Sequence, residues 1–178
     1  MVDYTPEQLE KAALIRELLH PERPRKFGLR WACKSKKATP ESIRESYGYL
    51  TGIGVSKHKI AVNSALLAFD AGKLRKNHEF LIGEMHLTPE KIASQAQLLG
   101  RKPETIRSNG IFLRDEMHLA PEKIASQAQL LGQNPETIRE NFKSLVRDGM
   151  SENRIRHSPA LLELKRSTAL IRANKRRK

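Results

Sequence analysis

MHLTPEKIASQAQLLGRKPETIRSNGIFLRDE, residues 85–116, runs without a break into MHLAPEKIASQAQLLGQNPETIRENFKSLVRD, residues 117–148, and the two match at 22 of 32 positions. Self-similarity at a fixed period of this size is the mark of stacked supersecondary units. Each copy holds two Pro-Glu starts, Pro89-Glu90 running to Gly100 and Pro103-Glu104 running to about Met117. Proline is tolerated at a first helical position, an acid suits the positive helix start, and glycine suits the end. Each copy therefore predicts a short helix, a turn and a second helix. Ile92, Ala96 and Leu99 fall at i, i+4 and i+7. Ile106, Gly110, Leu113 and Met117 continue the pattern in the second helix, so each helix has one face to bury. One such hairpin cannot hide its own stripe, and about three repeats are needed for a stable stack.

Degraded copies emerge on both sides. Thr39-Pro40-Glu41-Ser42-Ile43-Arg44 matches the PETIR segment; Leu66-Leu67 matches Leu98-Leu99; and Met150 to Ile155 lies 31 residues after Leu119 to Ile124. The chain thus reads as an all-α solenoid, right- or left-handed, of about five helix-pair repeats of ~32 residues. They lie at roughly 27–53, 54–84, 85–116, 117–148 and 149–178. Residues 1–26 precede them as a capping helix and a linker. Thr5-Pro6-Glu7-Gln8 forms a capping box, Leu9, Ala12, Ala13, Arg16 and Leu19 trace a mixed face, and His20-Pro21 ends the helix. Sequence leaves open whether this helix caps the array or stands apart from it.

The pattern "hydrophobic-x-x-x-x-Ile … Leu-Leu … Pro-Glu-x-Ile/Leu-Arg … Phe-Leu" resembles the mitochondrial transcription termination factor (mTERF) repeat. His157-Ser158-Pro159-Ala160-Leu161-Leu162-Glu163-Leu164 is similar to that family's Pro-x-Leu-Leu signature. The resemblance implies a curved helical solenoid whose basic concave face binds nucleic acid, without catalysis of its own.

Charge points the same way by a separate route. The net charge is +13 and the isoelectric point about 10.1, which favours an anionic partner. Residues 25–78 hold twelve basic residues against three acidic, and residues 149–178 hold nine against two. Two basic columns recur with the period. Arg44, Arg75, Arg107, Arg139 and Arg172 follow the core apolar position of each second helix; Lys59, Lys91, Lys123 and Arg154 precede the isoleucine of each first helix. Arginine's fork fits phosphate oxygens bidentately. The alternative is a solvated face: Glu41, Glu104 and Glu136 stand three residues before Arg44, Arg107 and Arg139, where a pair contributes only about 0.2–0.5 kcal/mol. Trp31 and Tyr47, with Tyr49 nearby, either offer stacking surfaces to bases or fill the end of the core. Lys175, Arg176, Arg177 and Lys178 close the chain as a phosphate-binding tail or a solubilising end.

No catalytic constellation, glycine-rich phosphate loop or cofactor motif is present in the sequence, and the histidines do not cluster as metal ligands. Lone Cys33 precludes an internal disulfide. No apolar run approaches the length of a membrane span, and the acidic first 24 residues do not read as a targeting peptide. The expectation is a cytoplasmic monomer that binds double-stranded DNA in a transcription-related setting. Structured or ribosomal RNA is the alternative partner, and a protein-interaction scaffold the alternative class.

Overall fold

A computed structural model describes residues 5–163 of the chain. Arg172 and Lys175 to Lys178 lie outside them, as does the second helix expected near Ile171. Every regular element among the described residues is helical. The chain divides into two compact units, Met1–Arg101 and Lys102–Lys178, so the division falls between the two helices of the third copy.

In the first unit α1 (Pro6–Leu19) begins at the expected capping box: Gln8 N–H donates to Thr5 Oγ1 and Thr5 N–H to Gln8 Oε1. It then packs against α2 (Lys26–Lys34), α3 (Pro40–Gly52) and α4 (Lys57–Val62). The first helix therefore packs into the first unit rather than standing apart from it. Its buried face overlaps the expected one only in part: Ala12 and Leu19 are buried as expected, but Ile15 is fully covered and Lys11 nearly so, whereas Leu9 is 55% exposed. Covering on three sides draws in Lys11, whose ammonium reaches Glu7 Oε1 at 2.5 Å and donates to Ser35 O at 3.3 Å.

The other elements follow one rule. The first half of each copy is not the single helix expected from Pro89 to Gly100 but a short α-helix and a 3₁₀ segment. In the first unit these are α4 with 64–68 and α6 (Pro89–Ser94) with 96–100. In the second they are α8 (Pro121–Ser126) with 128–132 and α10 (Glu152–His157) with 159–163. The break falls at Asn63, Gln95, Gln127 and Ser158. Side chains there compete for the helix carbonyls: Asn63 Nδ2 donates to Lys59 O, Ser94 Oγ to Lys91 O and Ser126 Oγ to Lys123 O. The 3₁₀ turn then eclipses residues three apart, so Ala96 and Leu99 share the buried side.

The longer helices of the repeats are α3 and α5 (Ala71–Gly83) in the first unit and, in the second, α7 (Pro103–Ile111, prolonged by a π-turn at 112–116) and α9 (Pro135–Arg147). Ile106, Gly110, Leu113 and Met117 are buried as expected.

Each long helix is bolted to the 3₁₀ segment that follows it. Ser46 Oγ donates to Phe69 O at 2.5 Å; Asn77 Nδ2 donates to Leu99 O at 2.5 Å and Arg101 O at 3.0 Å. Asn109 Nδ2 reaches Leu130 O, Leu131 O and Gln133 O at 3.1, 3.1 and 2.9 Å, and Asn141 Nδ2 reaches Leu162 O at 2.7 Å. These donors stand three residues after Ile43, Leu74, Ile106 and Ile138, so the amide rung belongs to the repeat itself.

The one-residue variation in period is absorbed where a long helix ends. Val55 N–H returns to Leu50 O and Met150 N–H to Leu145 O, both at 3.0 Å, through Gly54 and Gly149 at φ 83° and 84°. Leu87 N–H returns to Leu81 O and Leu119 N–H to Leu113 O at 3.0 and 2.9 Å; this closure is one residue longer, with His86 and His118 at φ 51° and 52°. Glycine takes that left-handed backbone freely and histidine tolerates it. That is the structural work of the two recurring histidines.

Candidate nucleic-acid interface

The Lys column occupies one structural position throughout. Lys59 and Lys91 in the first unit, and Lys123 and Arg154 in the second, are the third residues of α4, α6, α8 and α10. Where the cap is Ser56, Thr88 or Ser151, its hydroxyl accepts from their backbone N–H. Capping fixes the backbone at this position; Lys59 and Lys123 are exposed, Lys91 and Arg154 half-buried. The surroundings are mixed in sign, for Lys59 borders a depression of about 420 Å³ whose walls include Glu90 and Ser94.

The Arg column has a feature that neither sequence reading contains. Arg75 of α5 stands 5.6 Å above the ring of Tyr49 on α3, and Arg139 of α9 stands 5.1 Å above the ring of Phe112 that follows α7. Arg139 also donates to Ser108 Oγ at 3.4 Å and lies 3.8 Å from Glu116. Arg75 and Arg139 are thus struts onto the preceding long helix. Arg107 is exposed and shares with Arg139 a depression of about 300 Å³ that also takes in Glu104. Arg44 is exposed on α3. The neighbouring Glu41 carboxyl is held below the usual carboxylate range chiefly by its own backbone N–H and by Thr39, with Arg44 contributing least. The expected helical pair is therefore a minor influence there.

Among the described residues the largest acid-free basic run surrounds α2. Between Glu22 and Glu41 the sequence has seven basic residues and no acid: Arg23, Arg25, Lys26, Arg30, Lys34, Lys36 and Lys37. All seven are exposed. Residues 102–163 of the second unit, by contrast, carry nine basic and nine acidic residues. The sequence marks residues 25–78 as strongly basic, but the expected site residues are the periodic columns and not this acid-free run at their start.

Trp31, on the same helix, is 41% exposed and lies 5.3 Å from Phe69, ring centre to ring centre, at an interplanar angle of 43°. Tyr47 is half-buried on α3. Tyr49 Oη and His78 Nδ1 are 3.0 Å apart, and burial pushes the His78 imidazole below its usual range.

Among the described residues no three His, Cys, Asp or Glu side chains are grouped to hold a metal ion, and no helix is long and apolar enough to cross a membrane. No protein-family model matches the chain, and none of the curated proteins matches it.

Proposed function

We propose that this protein is a non-enzymatic, mTERF-like helical-repeat solenoid that binds nucleic acid through its phosphate backbone. The observation that carries this reading is the exposed, acid-free run of seven basic residues on and around α2. A face of one sign attracts a polyanion and gains by releasing its counterions. Lys59 and Lys91 extend the contact within the first unit, and duplex DNA is the leading partner, with structured RNA the alternative. A second reading applies to the second unit, whose described residues are neutral and leave Ile111 and Val146 43% and 37% exposed. That balance favours a protein partner there.

The test is a titration of the full chain against duplex DNA, structured RNA and single strands at several salt concentrations. Each phosphate neutralised contributes about 0.9 to the slope of log K against log salt for duplex DNA. Replacing Arg30, Lys34, Lys36 and Lys37 together with Gln is expected to flatten that slope by about 3.6 units, similarly for unrelated sequences. An unchanged slope removes α2 from the interface.

A further inference from the structure

The first unit contains a cavity of about 510 Å³ lined in part by Arg25 of the acid-free run and by Trp31 of α2. That volume lies in the range of small-molecule sites. Trp31 and Phe69 form its aromatic wall, Arg25 and Arg101 stand on its rim, and Asn63, Ser64 and Gln97 add polar groups to its lining.

Three observations distinguish this cavity from ordinary repeat packing. Phe69 follows the 3₁₀ segment 64–68, and the residues at the same place in the next two copies are Arg101 and Gln133, so the aromatic pair is not part of the repeat. Trp31 keeps 41% of its surface exposed, which a core-filling indole would not, and its 43° tilt from Phe69 leaves the rings as an open wedge. Ser64 is fully buried and its hydroxyl has no protein partner, where the following copies carry Ala96 and Ala128. Gly28 permits this arrangement: a Cβ there would sit 2.5 Å from Ser64 Oγ and 3.0 Å from Ala65 N.

The backbones that carry the two rim arginines are fixed. Arg25 N–H donates to Ala61 O at 3.1 Å, and Arg101 O accepts from Asn77 Nδ2 at 3.0 Å. Neither guanidinium is engaged by a carboxylate among the described residues. Asn63 and Gln97 spend their amide nitrogens on Lys59 O and Gln95 Oε1, which leaves their carbonyl oxygens to accept from a ligand. A flat aromatic surface, uncommitted hydrogen-bonding oxygens and two unneutralised guanidinium groups match a planar base that carries a phosphate.

We propose that this cavity binds one unpaired nucleotide, its base stacked on Trp31 and its phosphate held by Arg25 and Arg101. The proposal rests on the nucleic-acid reading above and deepens it: beside the duplex contact made by the basic run, the cavity takes a base that is unpaired or frayed. A base inside a duplex has both faces covered by its neighbours and cannot reach the indole. The same chemistry is offered by a free nucleoside monophosphate, and the test separates the two sources.

Trp31 is the only tryptophan, so its fluorescence reports the site directly. The full chain is titrated with a single-stranded oligonucleotide, a blunt duplex of equal length and a nucleoside monophosphate, with fluorescence and binding anisotropy read together. The single strand is expected to quench Trp31 and the duplex to bind without quenching. Trp31→Ala is expected to weaken single-strand binding roughly five- to a hundredfold, the equivalent of one base stacked on an aromatic ring, and to leave duplex affinity unchanged. Trp31→Phe, which keeps a stacking ring and the Phe69 contact, is expected to restore most of the loss. Arg25→Gln with Arg101→Gln is expected to flatten the single-strand salt slope by about 1.4 units. Equal binding of strand and duplex, untouched by Trp31→Ala, overturns the cavity and leaves the phosphate-binding reading standing. Quenching by the monophosphate alone, with no nucleic acid bound at any salt, keeps the cavity and overturns the nucleic-acid reading. Absence of both overturns both.

Discussion

Asn109 offers the sharpest probe of what holds a repeat together. It is fully buried, and its one amide nitrogen serves three carbonyls: Leu130, Leu131 and Gln133. Asn109→Ala does not affect them equally. Leu130 O still accepts from Gln133 N–H at 3.1 Å, and Gln133 is exposed, so water can reach its carbonyl. Leu131 is fully buried and loses a donor; such a bare acceptor costs about 1–3 kcal/mol. The space vacated by the amide adds on the order of 1 kcal/mol. Against this, Oδ1 of Asn109 is itself buried without a partner, and removing it returns part of the loss. The net expectation is a destabilisation of about 2–3 kcal/mol, a sizeable share of the 5–15 kcal/mol typical of a domain. Asn109→Asp keeps the shape and replaces the donor with an acceptor facing three carbonyls, so it costs more than alanine. Denaturant titration followed by far-UV circular dichroism reads both as a lower midpoint at constant slope. Should alanine cost less than about 0.5 kcal/mol, or aspartate be tolerated as well as asparagine, the rung contributes nothing to stability.

Two further tests address conformation, and two address binding. His78 has its pKa depressed by burial, so the folded state binds fewer protons than the unfolded chain: its contribution is present above about pH 6.5 and is lost as pH falls below it. A His78→Gln chain is expected to lack that step in a pH series of melting curves. His118 occupies left-handed backbone; His118→Val is expected to cost about 1–2 kcal/mol and His118→Gly to cost nothing, read by denaturant midpoint. Arg75→Gln is expected to reduce the duplex salt slope by about 0.9 with little loss of stability. Arg139→Gln is expected to leave the slope nearly unchanged and to lower the denaturant midpoint.

Those elements were legible in sequence whose signal repeats. The period, the Pro-Glu starts and the stripes through Leu99 and Leu113 are read directly from residue types, because a buried face leaves an apolar trace at fixed spacing. The break at Gln95 was not legible, since Ile92, Ala96 and Leu99 satisfy a continuous helix as well as one that tightens into a 3₁₀ turn. Asn77, Asn109 and Asn141 recur as regularly as the arginines. A polar residue within an apolar stripe shows its purpose only once three carbonyls are seen to face it. The face of α1 was read only at Ala12 and Leu19, because its full extent depends on how many helices cover it. The cavity draws on residues from Arg25 to Arg101, a separation over which no local pattern carries information.

The difference expected between Arg75 and Arg139 follows from what each guanidinium has left to give. Stacking on an aromatic ring uses the flat face of the group and leaves its N–H edge in the plane, free for a phosphate. A strut and a phosphate contact are therefore compatible in principle, and stacking even holds the fork in one orientation. For Arg139 that edge is already occupied, by Ser108 Oγ, by Ser108 O and by the nearby Glu116 carboxylate. Bringing in a phosphate there means breaking those bonds and placing an anion beside another anion. Arg75 is exposed and shares its unit with the acid-free run on α2. The same recurring arginine is thus expected to divide by neighbourhood: at Arg139 it ties helices together where the described residues balance in charge, and at Arg75, in the unit that holds the acid-free run, it is also expected to face the proposed partner. A measured slope change from Arg139→Gln as large as that from Arg75→Gln contradicts this division and restores the arginines to one uniform phosphate-binding column.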